Sequence, residues 1–319
     1  MEHEKHDGRA QPVMDSAGLR RSGWMTVCRL ALPFLALMAA AQTGIASPAI
    51  VSLRTVLESP PASWEDPSYG LFRWDQFPSI LVMDTVDFAF QDRMFSRLAF
   101  FLEKRGFRGR LLSDAELAGR HGWNAHDYGA QELADFFGAA SLTRFPLDSQ
   151  ELLLRDIALQ QGILVMKRDR FAAGVGGIIS VSRGSSAIER RLLLTHESFH
   201  GIFFASRAYR DYCFRLWDSV TPAERGFVTS FLDDLGYDGE SRYLAVNEFQ
   251  AYLMQQPAAF APAYFERVLA RFGSRASSDR VLLAGLLSAA RALDSYLQSH
   301  FAIRAGGTLL PSQPAAPAG

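Results

Sequence analysis

The stretch Arg191-Leu-Leu-Leu-Thr-His-Glu-Ser-Phe-His-Gly201 carries the pattern H-E-x-x-H inside an apolar run. The helical period places His196 and His200 one turn apart on one face. That face also carries apolar side chains, including Phe199 and Phe203. An unpaired buried polar group costs about 1–3 kcal/mol, so both imidazoles need partners. A zinc ion (Zn²⁺) satisfies both at once, and the alternative is two core histidines bonded to carbonyl groups. The pattern predicts a zinc-binding helix.

Glu197 lies one position round the helix from His196, where a carboxylate can reach a water on the metal without binding the metal itself. Catalytic zinc commonly has three protein ligands and leaves the fourth position to water, so one more ligand is expected. A metzincin would have Gly at position 203 and His at position 206, but the chain has Phe203 and Ser206. The metzincin subclass is therefore excluded, and the third ligand is expected elsewhere in the chain.

The third ligand is predicted on a second helix, Tyr243-Leu-Ala-Val-Asn-Glu-Phe-Gln-Ala-Tyr-Leu-Met254. Glu248 falls on the apolar face of this helix with Leu244 and Ala251. A carboxylate at such a place requires a neutralising charge, which makes Glu248 the first candidate. Four acidic residues of the preceding segment are the alternatives: Asp233, Asp234, Asp238 and Glu240.

These motifs resemble the gluzincin metallopeptidases, in which H-E-x-x-H on one helix is completed by a Glu from a later helix, often within N-E-x-x. Asn247-Glu248-Phe249-Gln250 matches that form, and the resemblance covers roughly residues 160–256. It implies His196, His200 and Glu248 as zinc ligands and Glu197 as the general base.

The resemblance also implies an edge strand beside the H-E-x-x-H helix, where extended substrate pairs through backbone hydrogen bonds. The segment Gly176–Ser182 holds that place in this chain. Many such enzymes use a Tyr or His to hydrogen-bond the oxyanion, and Tyr243 is the first candidate for this role. Tyr237 and Tyr252 are the alternatives.

The predicted fold class is α+β and mainly α, with a zincin-like catalytic domain that carries a small edge sheet. The catalytic domain is assigned to residues 148–304, and a smaller α/β unit to residues 42–147.

The N-terminal segment has the pattern of a signal peptide. Arg20, Arg21 and Arg29 precede an apolar run at residues 30–41. This run is too short for a membrane span of about 20 residues, and it suits a signal peptide at residues 1–41. An uncleaved N-terminal anchor is the alternative. Residues 305–319 are rich in Gly, Pro and Ala and are predicted to be a disordered tail.

The hydrophobic pattern also predicts individual elements. Strands are expected at residues 79–84, 162–167 and 178–182, and helices at residues 90–105, 131–137 and 148–161. Residues 186–303 are expected to be helical with several breaks, and residues 48–78 are expected to be irregular.

The segment His121-Gly-Trp-Asn-Ala-His-Asp-Tyr128 is dense in polar and aromatic side chains. A structured surface loop is the first interpretation. The segment would also suit a loop that contacts substrate, or a second metal site that uses His121 and His126.

The composition excludes several classes of protein. The formal net charge of −1, without a basic block, argues against a general nucleic-acid binder. The two cysteines, Cys28 and Cys213, cannot build a disulfide framework. Removal of a signal peptide leaves Cys213 alone, so it is predicted to be a buried core thiol.

The sequence thus predicts an exported, periplasmic or extracellular, zinc-dependent metallopeptidase that hydrolyses peptide bonds by means of a zinc-activated water. Its expected partner is a protein or peptide substrate in the cell envelope, and its contact with a membrane is limited to the N-terminal segment if that stays uncleaved. Two other functions remain open. One is a non-catalytic zinc-containing binding protein of the cell envelope, and the other is a zinc hydrolase of non-peptide substrates.

Overall fold

The computed structural model describes residues 47–272 and 278–309. The signal peptide predicted at residues 1–41 lies outside the described residues. The strands are β1 (Ala49–Val51), β2 (Tyr69–Trp74), β3 (Ile80–Thr85), β4 (Ala125–Gly129), β5 (Leu164–Lys167), β6 (Arg170–Ala173) and β7 (Gly177–Ser182). The helices are α1 (Leu53–Glu58), α2 (Phe88–Leu102), α3 (Asp114–Leu117), α4 (Ala130–Thr143), α5 (Ser149–Gln160), α6 (Ala187–Ala205), α7 (Arg207–Ser219), α8 (Pro222–Leu235), α9 (Arg242–Met254), α10 (Ala261–Phe272) and α11 (Ser278–Phe301), with 3₁₀ turns at Pro61–Ser63 and Gly307–Leu309.

The described chain is α+β and mainly helical, with a small sheet, as predicted. Five strands form this sheet in the order β1-β2-β3-β7-β4. β7 pairs in parallel with β3 and antiparallel with β4. The segment Gly176–Ser182 was predicted to be the edge strand, and this prediction is wrong, because β7 lies inside the sheet. All six residues of β7 are buried, and the edge next to the H-E-x-x-H helix is β4 instead.

Gly176 fixes how β7 enters the sheet. Its backbone is left-handed, with φ of 83°, and a Cβ at this position would lie 1.8 Å from the carbonyl oxygen of Ser79. The Gly176 carbonyl also accepts from the backbone N–H of Ala130, where α4 begins. Only glycine combines this φ with such a close approach.

The sheet separates two apolar cores. The alternation of side chains along β3 directs Ile80 and Val82 to one face, and Leu81 and Met83 to the other. On the first face the strands pack against α6 and α9, and on the second face they pack against α2, α4 and α5. Cys213 is a free thiol buried in the first core, as predicted.

The sheet contains strands from both sides of the boundary predicted between residues 147 and 148. The described residues belong to one compact unit, residues 45–319. Part of the predicted disordered tail is ordered: Gly306 donates its backbone N–H to the carbonyl of Met254, and Thr308 contacts Thr195 on α6. No helix among the described residues is long and apolar enough to cross a membrane.

Candidate metal centre

Two helices build the candidate metal centre. α6 begins at a capping box, in which the Ser186 side chain accepts from the N–H of Glu189 and the Glu189 side chain accepts from the N–H of Ser186. α9 crosses the same core and is buried along almost its whole length. The apolar face of α6 therefore presents His196 and His200 to α9, which carries Glu248.

Three predicted ligand atoms converge between these helices. His196 Nε2 lies 3.1 Å from His200 Nε2 and 3.4 Å from Glu248 Oε2, and His200 Nε2 lies 3.8 Å from Glu248 Oε2. A tetrahedral zinc with ligands at about 2.0–2.1 Å holds its ligand atoms about 3.3 Å apart. The three separations scatter around that value, so the arrangement has the dimensions of a zinc site.

The donor atoms also lack other partners. His196, His200 and Glu248 are all less than a tenth exposed. Glu248 Oε2, the oxygen that faces both imidazoles, has no hydrogen-bond partner, and neither does Glu197 Oε2. Buried polar atoms without partners are costly, and a cation held by His196, His200 and Glu248 removes that cost. The residues present therefore fit a metal ion.

The second nitrogen of each histidine faces an oxygen acceptor. His196 Nδ1 lies 3.0 Å from Gln255 Oε1, which accepts its proton. His200 Nδ1 lies 3.3 Å from Asp127 Oδ2, and that oxygen also accepts from Asn247 Nδ2 at 3.1 Å. The acceptor at His196 Nδ1 keeps the proton there and leaves Nε2 of that ring for a metal. His200 Nδ1 lies beside the Asp127 carboxylate but makes no hydrogen bond.

Asp127 is the residue that sequence reasoning missed at this site. It lies on β4, within the segment predicted to be a surface loop. The two-residue period of β4 turns Asp127 toward α6 and turns His126 and Tyr128 toward Phe95 of α2, with which both rings stack. That period was the available signal, but it becomes useful only once the segment is known to be a strand.

The second metal site considered for His121 and His126 does not form. His126 Nδ1 bonds the hydroxyl of Tyr128, whereas His121 bonds Asp92 and Asn124. Neither histidine belongs to the groups of described residues that could hold a metal.

The alternative third ligands also lie elsewhere. Asp233 pairs with Arg105, and Asp238 pairs with Arg108. Asp234 and Glu240 are exposed to solvent. Glu248 alone among the acidic candidates joins both histidines.

A second possible donor group overlaps the first and consists of Asp127, Glu197 and His200. This group would use two carboxylates and His200 Nδ1. The group of His196, His200 and Glu248 matches the preferred zinc donors better, because it has two imidazoles, and Gln255 accepts from the second nitrogen of His196.

Burial sets the protonation of these groups. Burial lowers the pKa of His200 to about 4, although the Glu248 carboxylate acts in the opposite direction. The imidazole is therefore neutral at neutral pH, which is the form that binds metals. Burial, reinforced by the charges of Glu248 and Glu103, raises the pKa of Glu197 well above its ordinary value.

A cavity of about 350 Å³ opens beside His196 and Glu197. Its described lining comes from the C-terminal ends of α2 and α8, from α6, from β4 and the residues before it, and from α9 and the residue after it. The lining includes Tyr237 and Tyr252. Tyr243 is not among the lining residues. Its ring is 39% exposed and packs against Phe203 and Phe214. Both alternatives named for the oxyanion role thus face the cavity, and the first candidate does not.

A comparison of the chain with known protein families, curated proteins and solved structures finds no match. Function therefore has to be argued from the geometry of this site.

Proposed function

We propose that this protein is a zinc-dependent metallopeptidase of the gluzincin type, with a zincin-like catalytic fold. The convergence of His196 Nε2, His200 Nε2 and Glu248 Oε2 at the spacing of tetrahedral zinc ligands carries the proposal. When bound, zinc supplies a Lewis acid and lowers the pKa of a water to about 7. Glu197 supports catalysis rather than a purely structural metal, because its carboxylate lines the cavity beside the ligands.

Different residues around the site have different roles in the proposed reaction. Glu197 Oε2 is unpartnered and takes the proton of the attacking water, which it then passes to the leaving amine. Gln255 holds the imidazole of His196 with Nε2 toward Glu248, and the Asp127 carboxylate lies 3.3 Å from His200 Nδ1. Tyr237 and Tyr252 both line the cavity, and a phenol from this pair stabilises the oxyanion.

The position of β4 supports a peptide substrate. β4 is the last strand of the sheet, and its residues Ala125 and Asp127 line the cavity beside Glu197. A peptide that adds to the sheet beside β4 by backbone hydrogen bonds would run past Glu197. We further propose that the protein is exported, on the basis of the basic and apolar pattern of residues 20–41, and that its substrate is a protein or peptide of the cell envelope.

The metal content of the purified full chain tests the ligand set. We expect one zinc per chain by mass spectrometry, and a sharp loss of zinc in His196→Ala and in Glu248→Ala. Asp233→Asn is the matched control, because Asp233 was a competing ligand and pairs with Arg105 instead. Full zinc retention in Glu248→Ala, or absence of zinc from the wild type after loading, would contradict the proposal.

The substitution Glu197→Gln tests the reaction. We expect it to retain zinc and to lower kcat on a peptide library by about 100-fold or more, because general base catalysis contributes that much. Unchanged turnover would exclude Glu197 as the base. Hydrolysis of esters without hydrolysis of amides would favour a non-peptide hydrolase, and bound zinc without any hydrolysis would favour a binding protein.

A further inference from the structure

The cavity beside the metal centre is strongly acidic. Three carboxylates line it, those of Glu103, Asp127 and Glu197, whereas none of the described lining residues is Lys or Arg. With Glu248 behind them, four carboxylates face the two positive charges of one zinc ion. If all of them are ionised, the formal excess is two negative charges, which favours a cationic ligand.

Glu103 is the carboxylate that the metal does not explain. It belongs to neither group of described residues that could hold a metal, yet its side chain is only 5% exposed. A buried carboxylate without a full countercharge is costly, and burial followed by the charge of Glu248 raises the pKa of Glu103. The Trp123 hydrogen bond and the Lys104 ammonium act in the opposite direction without cancelling this rise. A cation bound in the cavity removes this cost.

The chain holds Glu103 firmly in the cavity wall. Glu103 caps the C-terminus of α2, and its carbonyl accepts from the backbone N–H of Asp238 at 2.7 Å. One carboxylate oxygen accepts from the indole N–H of Trp123. The backbone and the carboxylate of Glu103 are thus held by two separate segments, so a ligand can bind the carboxylate at little further entropic cost.

Trp123 helps to shape the cavity wall. Its ring stacks on that of Tyr237 at a centroid distance of 4.3 Å, and both rings line the cavity. The Lys104 ammonium lies 2.9 Å from the Trp123 ring centroid, a distance that places it on the face opposite to Tyr237. Both faces of Trp123 are thus occupied, and the carboxylates of the wall remain to attract a cation.

The unpartnered carboxylate oxygen of Glu197 lies in the same cavity as the acidic wall. Glu197 is 4% exposed, and its Oε2 lines the same cavity without a hydrogen-bond partner. The wall of Glu103 and the reactive carboxylate of Glu197 therefore belong to one space. A ligand at the metal centre extends along this wall.

We propose that Glu103 forms a cation subsite, and that the substrate carries an ammonium group beside the bond that is cleaved. This inference rests on the proposed function, since it names the substrate class of the same site. The ammonium group has two sources, the amino terminus of a peptide and a lysine side chain.

Amino-acid hydroxamates test the subsite without turnover, because the hydroxamate chelates zinc and the remaining groups probe the wall. The probes are leucine hydroxamate with a free α-amine, Nα-acetyl-lysine hydroxamate with a side-chain ammonium, and the neutral Nα-acetyl-leucine hydroxamate. Calorimetry on the zinc-loaded full chain near neutral pH gives their dissociation constants. We expect one cationic probe to bind about 10- to 100-fold more tightly than the neutral probe, and the probe that does so identifies the source of the ammonium.

The substitution Glu103→Gln is expected to bring this ratio close to one, since the amide keeps an acceptor for Trp123 but has no charge. Asp234→Asn removes one negative charge from an exposed carboxylate next to Leu235 of the cavity wall, and it is expected to leave the ratio unchanged. Melting curves and zinc content establish that Glu103→Gln is folded.

Equal affinities of the wild type for all three probes would overturn the inference, and this measurement needs no variant. Persistence of the ratio in Glu103→Gln would overturn it too. Failure of every probe to bind, or binding that does not require zinc, would instead refute the proposed function.

Discussion

Asp127 lies outside the H-E-x-x-H motif, yet its side chain lies beside residues of both helices that carry the candidate ligands. Its Oδ2 lies 3.3 Å from His200 Nδ1 and accepts from Asn247, the residue before Glu248. One carboxylate thereby positions a ligand on α6 and the backbone next to a ligand on α9. Such a carboxylate behind a metal-bound histidine fixes the tautomer and raises the basicity of the imidazole.

Asp127→Asn is therefore expected to raise the dissociation constant for zinc by about 10- to 100-fold. The amide keeps the size of the side chain but loses the negative charge that lies 3.3 Å from His200 Nδ1. Competition with a chromophoric chelator measures the affinity, and Asp234→Asn, an exposed carboxylate of the same charge, should leave it unchanged. A loss of zinc as complete as in His200→Ala would instead indicate that Asp127 binds the metal itself, through the overlapping group with Glu197.

At the scale of elements, the helices were predicted better than the pairing of the strands, because a helix depends on residues that are close in the sequence. The apolar period located α2 and α6, and Asp148 located the start of α5, where its side chain accepts from two backbone N–H groups. The ends of these elements lie within a few residues of the predicted positions. His196, Glu197, His200 and Glu248 were predicted in the same way, because each helix carries its own part of the pattern.

Strand partners were harder to predict, because they depend on residues far apart in the chain. β4 reads as a polar loop in the sequence, since His126 and Asp127 interrupt its apolar residues, yet all five of its residues are buried. Its burial comes from β7 on one side and α6 on the face. Without that partner the sequence could reveal neither the edge of the sheet nor the role of Asp127.

Gly176 offers a test of how β7 is held inside the sheet. Gly176→Ala is expected to lower the free energy of unfolding by about 2 kcal/mol or more, because the new Cβ would meet the Ser79 carbonyl and the φ of 83° disfavours alanine. Urea titration measures the change. Gly138→Ala is the matched control, since Gly138 lies inside α4 with no atom within 4 Å of the added Cβ, and it should stabilise by about 0.4–1 kcal/mol. Equal stability of the two variants would mean that the approach to Ser79 is not limiting.

At the scale of the molecule, the candidate metal centre lies where one of the two cores meets the edge of the sheet. α6 and α9 belong to the core of the first face, and β4 brings Asp127 to the same place from the sheet. The acidic side chains collected there repel one another, and burial strengthens that repulsion. This core therefore gains stability from a cation more than an ordinary helical core does.

Zinc should thus stabilise the whole fold and not only the site. A ligand that binds the native state alone at 1,000 times its dissociation constant adds about 4 kcal/mol. For a chain of this size, that corresponds to a rise in Tm on the order of 10 °C.

Calorimetric scans of the chelated protein with added zinc measure the shift, and magnesium at the same concentration is the control, because it prefers oxygen donors to imidazoles. His200→Ala should abolish the zinc-dependent rise, since it leaves α6 with one ligand and the helices α6 and α9 without a shared ion. A rise of the same size with magnesium, or in His200→Ala, would show that the stabilising cation binds elsewhere.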